Sequence, residues 1–269
     1  MGKSLLMRLI GYPALLIHGD TMVWDRWRWL KRRLPRTRND ERLLDCGCGT
    51  GAFTIGAAKR GYQATGITSD DQAVARARER AGYLTPGGAV FDSWDIRKLA
   101  ERADFQGVFE IAICLEVIEH LGDDRALMRN LAACLKPGGR LLLTTPYYHY
   151  IAITRDEEGP RIENDEDAGG GHVRRGYSIG MLGELCDDAG LVLEEVSYCS
   201  GILSQRLTAL MRVLTRLHYL IAWAAVLPLR LLPPVFDGIV TRLVGWRYYS
   251  ICIEAYKPRF EEPAPTREQ

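Results

Sequence analysis

The residues best suited to chemistry in this chain form one glycine-rich run, Asp45-Cys46-Gly47-Cys48-Gly49-Thr50-Gly51. An apolar stretch leads into the run and a helix-forming stretch follows it, so the pattern predicts a strand, a turn and a helix. Glycine has no Cβ, and its backbone therefore bends sharply and approaches a ligand closely. In an open parallel sheet such turns lie at the carboxyl ends of the strands, where ligands bind.

The elements that must position this run belong to an alternating pattern of short β-rich and helical segments across residues 41–200. Such alternation predicts an α/β fold with a Rossmann-like, doubly wound and mostly parallel sheet. Strands are expected at 42–46, 63–68, 88–91, 109–115, 139–145 and 192–199, and helices at 51–61, 71–83, 123–135 and 178–189. The stretch Lys136-Pro137-Gly138-Gly139 is expected to end one helix and turn into the next strand.

The two ends of the chain differ from this central domain. Residues 1–40 read as an amphipathic helical segment, and residues 201–257 as a hydrophobic helical lid with a returning strand at 248–256, before a flexible tail at 258–269. Between residues 203 and 246 the longest uncharged run, 217–229, is shorter than the roughly 20 residues that span a bilayer. Trp24, Trp27 and Trp29 alternate with arginines, which is also typical of an interfacial helix. Both ends therefore read either as lids on the α/β core or as contacts with a membrane surface.

Charge and cysteine usage narrow the functional classes. The net charge of +1 gives no general sign of nucleic acid binding, although residues 1–38 hold nine Lys/Arg against two acids, which suits an anionic surface or an acidic substrate. Seven cysteines form no CxxC pair and no cluster with zinc spacing. Their odd number and their apolar neighbours indicate reduced thiols in the cytoplasm, and we expect no metal site.

Three further motifs accompany the glycine run. They are Asp95 after the third strand, the run FEIAICLEVIEHL at 109–121 and the run LKPGGRLLLTTP at 135–146. Together with LLDCGCGTG at 43–51, they resemble the class I S-adenosylmethionine (SAM)-dependent methyltransferases, in the type 11/12 group that acts on small molecules and lipids. The resemblance covers about residues 40–200.

The resemblance implies a set of cofactor contacts. Asp45 and the backbone of the loop would hold the methionine end of SAM, Asp95 and Ile96 would meet the adenine, and Leu115 would border the methyl group. The loop residues concerned are Gly47, Cys48, Gly49 and Gly51. Family members usually carry an acid for the ribose at the end of the second strand, where this chain has Thr68. Asp70, Asp71 or Gln72 could substitute, but Asp70 could equally be a helix N-cap.

The sequence signals for acceptor binding and catalysis are less specific than those for the cofactor. Methyl transfer needs an acceptor in line and, for oxygen or nitrogen, a group that removes a proton. His120, Tyr147 and His149 are the candidates for catalysis, and each could instead serve only packing. Candidates for binding the acceptor are Glu116, Tyr148, His172, Arg174 and Tyr177, of which the last three could equally belong to a solvated loop.

From these residues we expect a SAM-dependent methyltransferase whose acceptor is a hydrophobic small molecule or a lipid-like molecule. A polar sugar or amine acceptor is the alternative within the enzyme class, and a non-catalytic SAM-fold binding protein is the alternative outside it. Nucleic acid is not expected as a partner, because the fourth strand ends in Leu-Glu-Val and no Asn-Pro-Pro-Tyr-type motif occurs. The expected location is the cytoplasm, with association to a membrane surface as a further possibility.

Overall fold

A computed structural model describes residues 7, 9–18, 21–38, 40–153 and 173–259 of the chain. Its centre is a seven-stranded sheet with the strand order β3-β2-β1-β4-β5-β7-β6. All neighbouring strands pair in parallel except β7, which is antiparallel to both β5 and β6. The expected Rossmann-like, mostly parallel sheet is thus confirmed. The strands are β1 Arg42–Cys46, β2 Gln63–Thr68, β3 Ala89–Ser93, β4 Phe109–Leu115, β5 Leu135–Pro146, β6 Val192–Cys199 and β7 Ser250–Tyr256.

Helices cover both faces of the sheet and extend beyond it. The central helices begin at polar caps: the side chains of Asp70, Asp123 and Ser178 accept hydrogen bonds from amides of the first turn that follows each of them. The helices are α1 Pro13–His18, α2 Thr21–Arg33, α3 Ala52–Ala58, α4 Asp71–Leu84, α5 Asp124–Cys134, α6 Ile179–Asp188, α7 Ile202–Leu217, α8 Tyr219–Val226 and α9 Pro233–Val244. Short 3₁₀ helices occupy Ile96–Glu101, Ala103–Phe105, Ile118–His120 and Pro228–Leu231.

One local expectation is corrected by the strand pairing. The Lys136–Gly139 stretch does not form a separate turn between a helix and a strand, because β5 already begins at Leu135. Leu135 pairs with Phe109, and the register shifts before Ile111 pairs with Arg140. Gly138, with a φ of 81°, accommodates that irregularity inside the strand. The proline and glycines therefore produce a bulge within β5.

The N-terminal helices pack on the α/β core as a lid. Trp27 and Trp29 are buried, and the Tyr12 ring meets the Trp27 ring edge to face at a centroid distance of 5.1 Å. Gly56 in α3 permits this approach, since a Cβ there would lie 2.2 Å from the Tyr12 hydroxyl. Trp29 also donates from Nε1 to Ser197 Oγ in β6 at 2.9 Å. An interfacial role for Trp27 and Trp29 is therefore wrong, because the core already covers these side chains.

Helices α7 to α9 lie between β6 and β7 in the chain. Because β7 is inserted between β5 and β6, the sheet is incomplete without residues beyond 200, and a domain boundary at that residue would divide it. Among the described residues, no single helix is both long and apolar enough to cross a membrane. The pair Tyr219–Leu231 and Pro233–Val244 meets those criteria only together, with a bend of 75° between its halves. Of the expected tail, residues 260–269 lie outside the described part.

Candidate functional site

The glycine run forms a tight loop between β1 and α3. Gly47, Gly49 and Gly51 have φ angles of 82°, 49° and 81°. The amides of Gly47 and Cys48 both donate to the carbonyl of Ile67 in β2, at 2.9 Å each. A Cβ on Gly47 would lie 2.4 Å from Val117, whereas a Cβ on Gly49 would meet no atom within 4 Å. The loop therefore needs Gly47 for its own packing, and Gly49 alone faces open space.

A cavity of about 250 Å³ lies against this loop. Its predicted members are Asp45, Gly47, Cys48, Gly49 and Leu115, and the structure adds Leu15, Val23, Thr50, Ala52, Phe53 and Arg80. Leu15 and Val23 come from α1 and α2, so the N-terminal lid forms part of the wall. Sequence reasoning missed these residues because nothing in an isolated amphipathic helix indicates which distant loop it covers.

Asp45 places a buried carboxyl in the cavity wall. The residue is 1% exposed, and Thr54 Oγ1 donates to its Oδ2 at 2.6 Å. Burial raises the pKa of Asp45 to about 7, against a smaller lowering by the bond from Thr54. This carboxyl is therefore poised to ionise when a cation approaches it.

Arg80 is a second polar group of the wall, and nothing in its sequence context distinguishes it from the other arginines of α4. Its Nη1 donates to the carbonyl of Thr50 at 3.0 Å and also to the Thr50 hydroxyl. Because Arg80 is more than halfway along α4, it ties that helix to the glycine loop. Its contribution is therefore to the conformation of the loop.

The residues expected around the ribose and adenine lie at the adjacent strand ends, outside the lining of this cavity. Thr68 ends β2, next to Ser93 at the end of β3. Asp70 caps α4 by accepting from the amides of Gln72 and Ala73 at 2.8 and 3.0 Å.

Beyond β3, Asp95 caps the following 3₁₀ helix and pairs with Arg97 at 2.9 Å, and the hydrogen bond from Arg97 lowers the pKa of Asp95. Ile96 is half-buried beside it. The order of β1, β2 and β3 in the sheet thus places Asp45, Thr68 and Asp95 along one edge. Their contacts with SAM stay predictions.

Glu116 directly follows β4 and has a left-handed backbone conformation, with a φ of 55°. Its carboxylate accepts from Thr144 Oγ1 at 3.0 Å and from Ser250 Oγ at 2.9 Å, and it pairs with Arg26 Nη2 at 3.1 Å. The side chain is only 13% exposed. Glu116 therefore joins β4, β5, β7 and the N-terminal lid, and its predicted role in acceptor binding would have to compete with these partners.

His120 and the neighbouring Glu119 form the other polar group after β4. Glu119 is fully buried, accepts from Thr145 Oγ1 at 3.1 Å and lies 4.0 Å from His120 Nε2. Burial, and then the nearby charge of Glu116, raise the pKa of Glu119 well above its usual range. Glu119 was missed at the sequence level, where it reads as one more acid between two apolar residues.

An aromatic group follows β5. The Tyr147 ring contacts the rings of His149 and Tyr198 at centroid distances of 5.3 and 5.2 Å, and Tyr148 contacts His149 at 5.1 Å. Tyr147 is half-buried, while Tyr148 and His149 are exposed. The structure therefore brings the predicted residues Tyr147, Tyr148 and His149 together at the carboxyl edge of the sheet.

Arg174 and Tyr177 border a different cavity, of about 450 Å³, which shares no lining residue with the cavity at the glycine loop. Arg174 pairs with Asp124 at 3.2 Å and donates to the Gly122 carbonyl at 2.7 Å. Tyr177 is fully buried and donates from its hydroxyl to Asp124 Oδ2 at 2.9 Å. These two side chains thus anchor the segment before α6 to α5. His172, the third residue of this group, lies outside the described residues.

No disulfide and no cluster of potential metal ligands occurs in the described part of the chain. No group of three or more His, Cys, Asp or Glu residues is arranged there to hold a metal ion. All seven cysteines are buried and free, and the Sγ atoms of Cys199 and Cys252 are 3.5 Å apart.

Comparison with known proteins agrees with this geometry. The family model of the methyltransferase domain matches residues 23–196. The chain is similar to the ubiquinone biosynthesis O-methyltransferase of Stutzerimonas stutzeri, with 32% identity over 164 residues. That match spans 58% of this chain and 66% of the relative, so the chain covers slightly less than two thirds of that protein.

Solved structures share the fold at lower identity. Phosphoethanolamine N-methyltransferase 2 of Haemonchus contortus, in complex with SAM, gives a TM-score of 0.62 at 17% identity, over 92% of this chain and 57% of that one. The cyclase SpnF gives 0.58 at 21% identity, over 87% of this chain and 80% of that one. A cyclase and a methyltransferase share this architecture, so the fold alone does not fix the reaction.

Proposed function

The chain belongs to the methyltransferase domain family, as a class I SAM-dependent methyltransferase, and from that premise we propose that it methylates a hydrophobic or lipid-like small molecule. The support for SAM binding comes from the glycine loop. Gly49 leaves open space where any side chain would project, and the buried carboxyl of Asp45 lies in the same wall. Both features suit a ligand that carries positive charge and must approach the backbone closely.

SAM supplies an activated methyl group, so the protein has mainly to orient an acceptor and exclude water. The loop backbone and Asp45 would hold the methionine end of the cofactor. Arg80 would keep the loop in shape through its bonds to Thr50. Leu115, at the end of β4, would border the place where the methyl group is transferred.

The observation that supports a hydrophobic acceptor is the composition of the remaining wall. Leu15, Val23, Phe53 and Leu115 are apolar, and two of them come from the N-terminal lid. Beyond them, the side chains of Tyr147 and Tyr148 offer aromatic surface at the same edge of the sheet. The similar protein of S. stutzeri is named for ubiquinone biosynthesis, which is consistent with an apolar acceptor.

Of the three predicted catalytic residues, we favour His120 as the group that accepts a proton from the acceptor. His120 follows shortly after Leu115, which is the last residue of β4 and lines the cavity. The imidazole is about one third exposed, and its Nε2 lies 4.0 Å from the carboxyl of Glu119, whose pKa is raised by burial. An imidazole at this position could accept the proton of an oxygen or nitrogen acceptor as a general base.

The direct test combines binding with transfer. We expect stoichiometric SAM binding by calorimetry, and transfer of labelled methyl from SAM into the solvent-extractable, apolar fraction of a cell extract. Label appearing only in the aqueous metabolite fraction would favour the polar acceptor instead. SAM binding without transfer into either fraction would favour a non-catalytic binding protein. In an active protein, His120→Ala should abolish methyl transfer without weakening SAM binding.

A further inference from the structure

We propose that helices α7, α8 and α9 form a docking surface for an anionic phospholipid bilayer. The surface consists of the side chains exposed between Arg206 and Val244. It lies beyond residues 23–196, which match the methyltransferase domain, so it is an addition to that domain. The proposal concerns where the protein works, and it holds whichever acceptor is methylated.

The first support is the concentration of exposed apolar surface. Fifteen of the twenty-four large apolar side chains that are exposed in the described residues lie between Leu210 and Val244. Leu217, Leu220, Leu231 and Leu243 are 74%, 66%, 67% and 82% exposed. Isolated exposed leucines are ordinary on a protein surface, but a contiguous apolar region marks an interaction site.

Helix α8 gives the second support. Its sequence, YLIAWAAV, has no charged residue on any side, and only Ala222 and Val226 are buried. A helix that is apolar all round is stable when protein or lipid surrounds it. A flat protein partner would cover one side of such a helix, whereas the apolar layer of a bilayer surrounds every side that the protein leaves exposed. With eight residues, α8 is about 12 Å long, which suits a helix in the interface and not one that crosses the bilayer.

Charge is the third support. Between residues 202 and 249 the chain carries six arginines and no lysine, and Asp237 is its only acid. Asp237 is buried, where it accepts from the amides of Gly201 and Leu203 at 2.7 Å each. Arg230 is also buried, so five arginines and no exposed acid remain in this segment. The surface is therefore positive, and each cation near an anionic leaflet adds to the attraction.

The same charges argue against a second copy of the chain as the occupant. In a symmetric pair the same patch occurs on both sides, so arginines would face arginines without acids between them. Aromatic rings lie close to the arginines at the base of the surface: the Arg206 guanidinium lies 4.8 Å from the Trp246 ring and that of Arg230 lies 4.8 Å from the Trp223 ring. Tryptophan is enriched at the boundary between lipid and water, where arginine can bury its aliphatic stem and keep its guanidinium in water.

The docking surface is joined to the cofactor cavity through α2. Thr21 Oγ1 donates to the Ser204 carbonyl in α7 at 3.1 Å, Val23 lines the cavity, and Arg26 pairs with Glu116. One helix thus connects the bilayer side to the end of β4. If the acceptor is lipid-like, as proposed above, it would reach the site from the bilayer side.

The test is co-sedimentation of the full chain with vesicles of equal parts phosphatidylcholine and phosphatidylglycerol, against vesicles of phosphatidylcholine alone. We expect binding to the anionic vesicles that weakens with salt. Leu220→Asp combined with Leu231→Asp should reduce binding at least tenfold, because two charges would have to enter the apolar layer. Ile179→Asp, an exposed apolar residue of α6, is the matched control and should bind like the wild type.

Replacing Arg206 and Arg242 with Ala should weaken binding about fivefold for each residue, since each arginine near the surface contributes about 1 kcal/mol. The Leu220/Leu231 variant must keep the circular dichroism spectrum and SAM affinity of the wild type. Wild-type protein that stays in the supernatant at low salt would overturn the proposal, as would equal sedimentation of that variant. A wild-type dimer that the variant converts to a monomer, without vesicle binding, would instead assign the surface to a second copy.

Discussion

Gly49 is the loop glycine whose contribution to the cofactor site can be separated from its contribution to the fold. Gly47 and Gly51 face their own protein, since a Cβ on them would lie 2.4 Å from Val117 and 2.8 Å from Phe91. A substitution at either would disturb packing as well as binding. Gly49 has only its left-handed backbone to restrict it.

We expect Gly49→Ala to weaken SAM binding at least tenfold in calorimetry, because the added methyl group enters the space beside the backbone. The left-handed conformation should cost the fold about 1–2 kcal/mol. Gly87→Ala is the control, since Gly87 also has a positive φ, of 75°, and a Cβ there would meet no atom within 4 Å. Similar SAM affinity in the two variants would contradict the assignment of the cavity to the cofactor.

Asp45 should make SAM binding depend on pH. Its pKa of about 7 means that the carboxyl is largely protonated at pH 6. A cationic ligand favours the ionised form, so the affinity for SAM should rise about fivefold between pH 6 and pH 7. Asp45→Asn keeps an acceptor for Thr54 and removes the titration, so its weaker affinity should stay constant. A rise that persists in that variant would assign the titration to another group.

Among the elements, the contact between the N-terminal lid and α3 depends on one small residue. Tyr12 and Trp27 pack against α3 at Gly56. A Cβ on Gly56 would lie 2.2 Å from the Tyr12 hydroxyl oxygen and 2.4 Å from the Trp27 ring. Tyr12 also donates to the Ala52 carbonyl at 3.0 Å, at the start of α3. These contacts therefore fix the position of the lid relative to the glycine loop that precedes α3.

Gly56→Ala should destabilise the protein by about 1–3 kcal/mol through overpacking, and should also weaken SAM binding because Leu15 and Val23 would move out of the cavity wall. Gly82→Ala in α4 is the control. No atom lies within 4 Å of its Cβ position, so alanine should be neutral or stabilise the helix by up to about 1 kcal/mol. Thermal unfolding with and without SAM measures both effects, and equal melting temperatures for the two variants would exclude a tightly packed lid.

For the molecule as a whole, three buried carboxyls determine how stability depends on pH. Burial raises the pKa of Asp25 to about 6 and of Asp45 to about 7, and raises that of Glu119 well above its usual range. A group whose pKa is higher in the folded state contributes stability below its unfolded pKa and loses that contribution as the pH rises through the folded value. Asp95 and Glu110 act in the opposite direction, because their pKa values are lowered.

We therefore expect the protein without cofactor to be most stable near pH 5, and its melting temperature to fall between pH 5 and pH 8. Asp45 alone would contribute about 3 kcal/mol to that fall, because about two pH units of its pKa shift lie above pH 5. Asp45→Asn should flatten the profile, and saturating SAM should flatten it in the wild type. Differential scanning calorimetry across this range is the measurement, and a melting temperature that rises steadily from pH 5 to pH 8 would contradict the account.

Local elements were predictable from the sequence because they depend on neighbouring residues. The run from Arg42 to Cys46 and the glycines after it specify a strand and a turn by apolar patterning and backbone freedom alone. The strands at 63–68, 109–115 and 192–199 occur with the predicted bounds for the same reason. The glycine loop with Asp45, together with the motifs at Asp95, 109–121 and 135–146, also indicated the cofactor, through the resemblance to SAM-dependent methyltransferases.

Only the tertiary structure decided which distant residues complete the site. Arg26 and Glu116, ninety positions apart, meet because the fold brings α2 close to the residue that follows β4. Arg80 reaches Thr50 because α4 packs beside the loop. The two apolar ends looked alike in sequence, yet Trp27 is buried while Leu220 is exposed. An amphipathic pattern shows that a helix has an apolar side, but the surface that covers this side depends on how the whole chain packs.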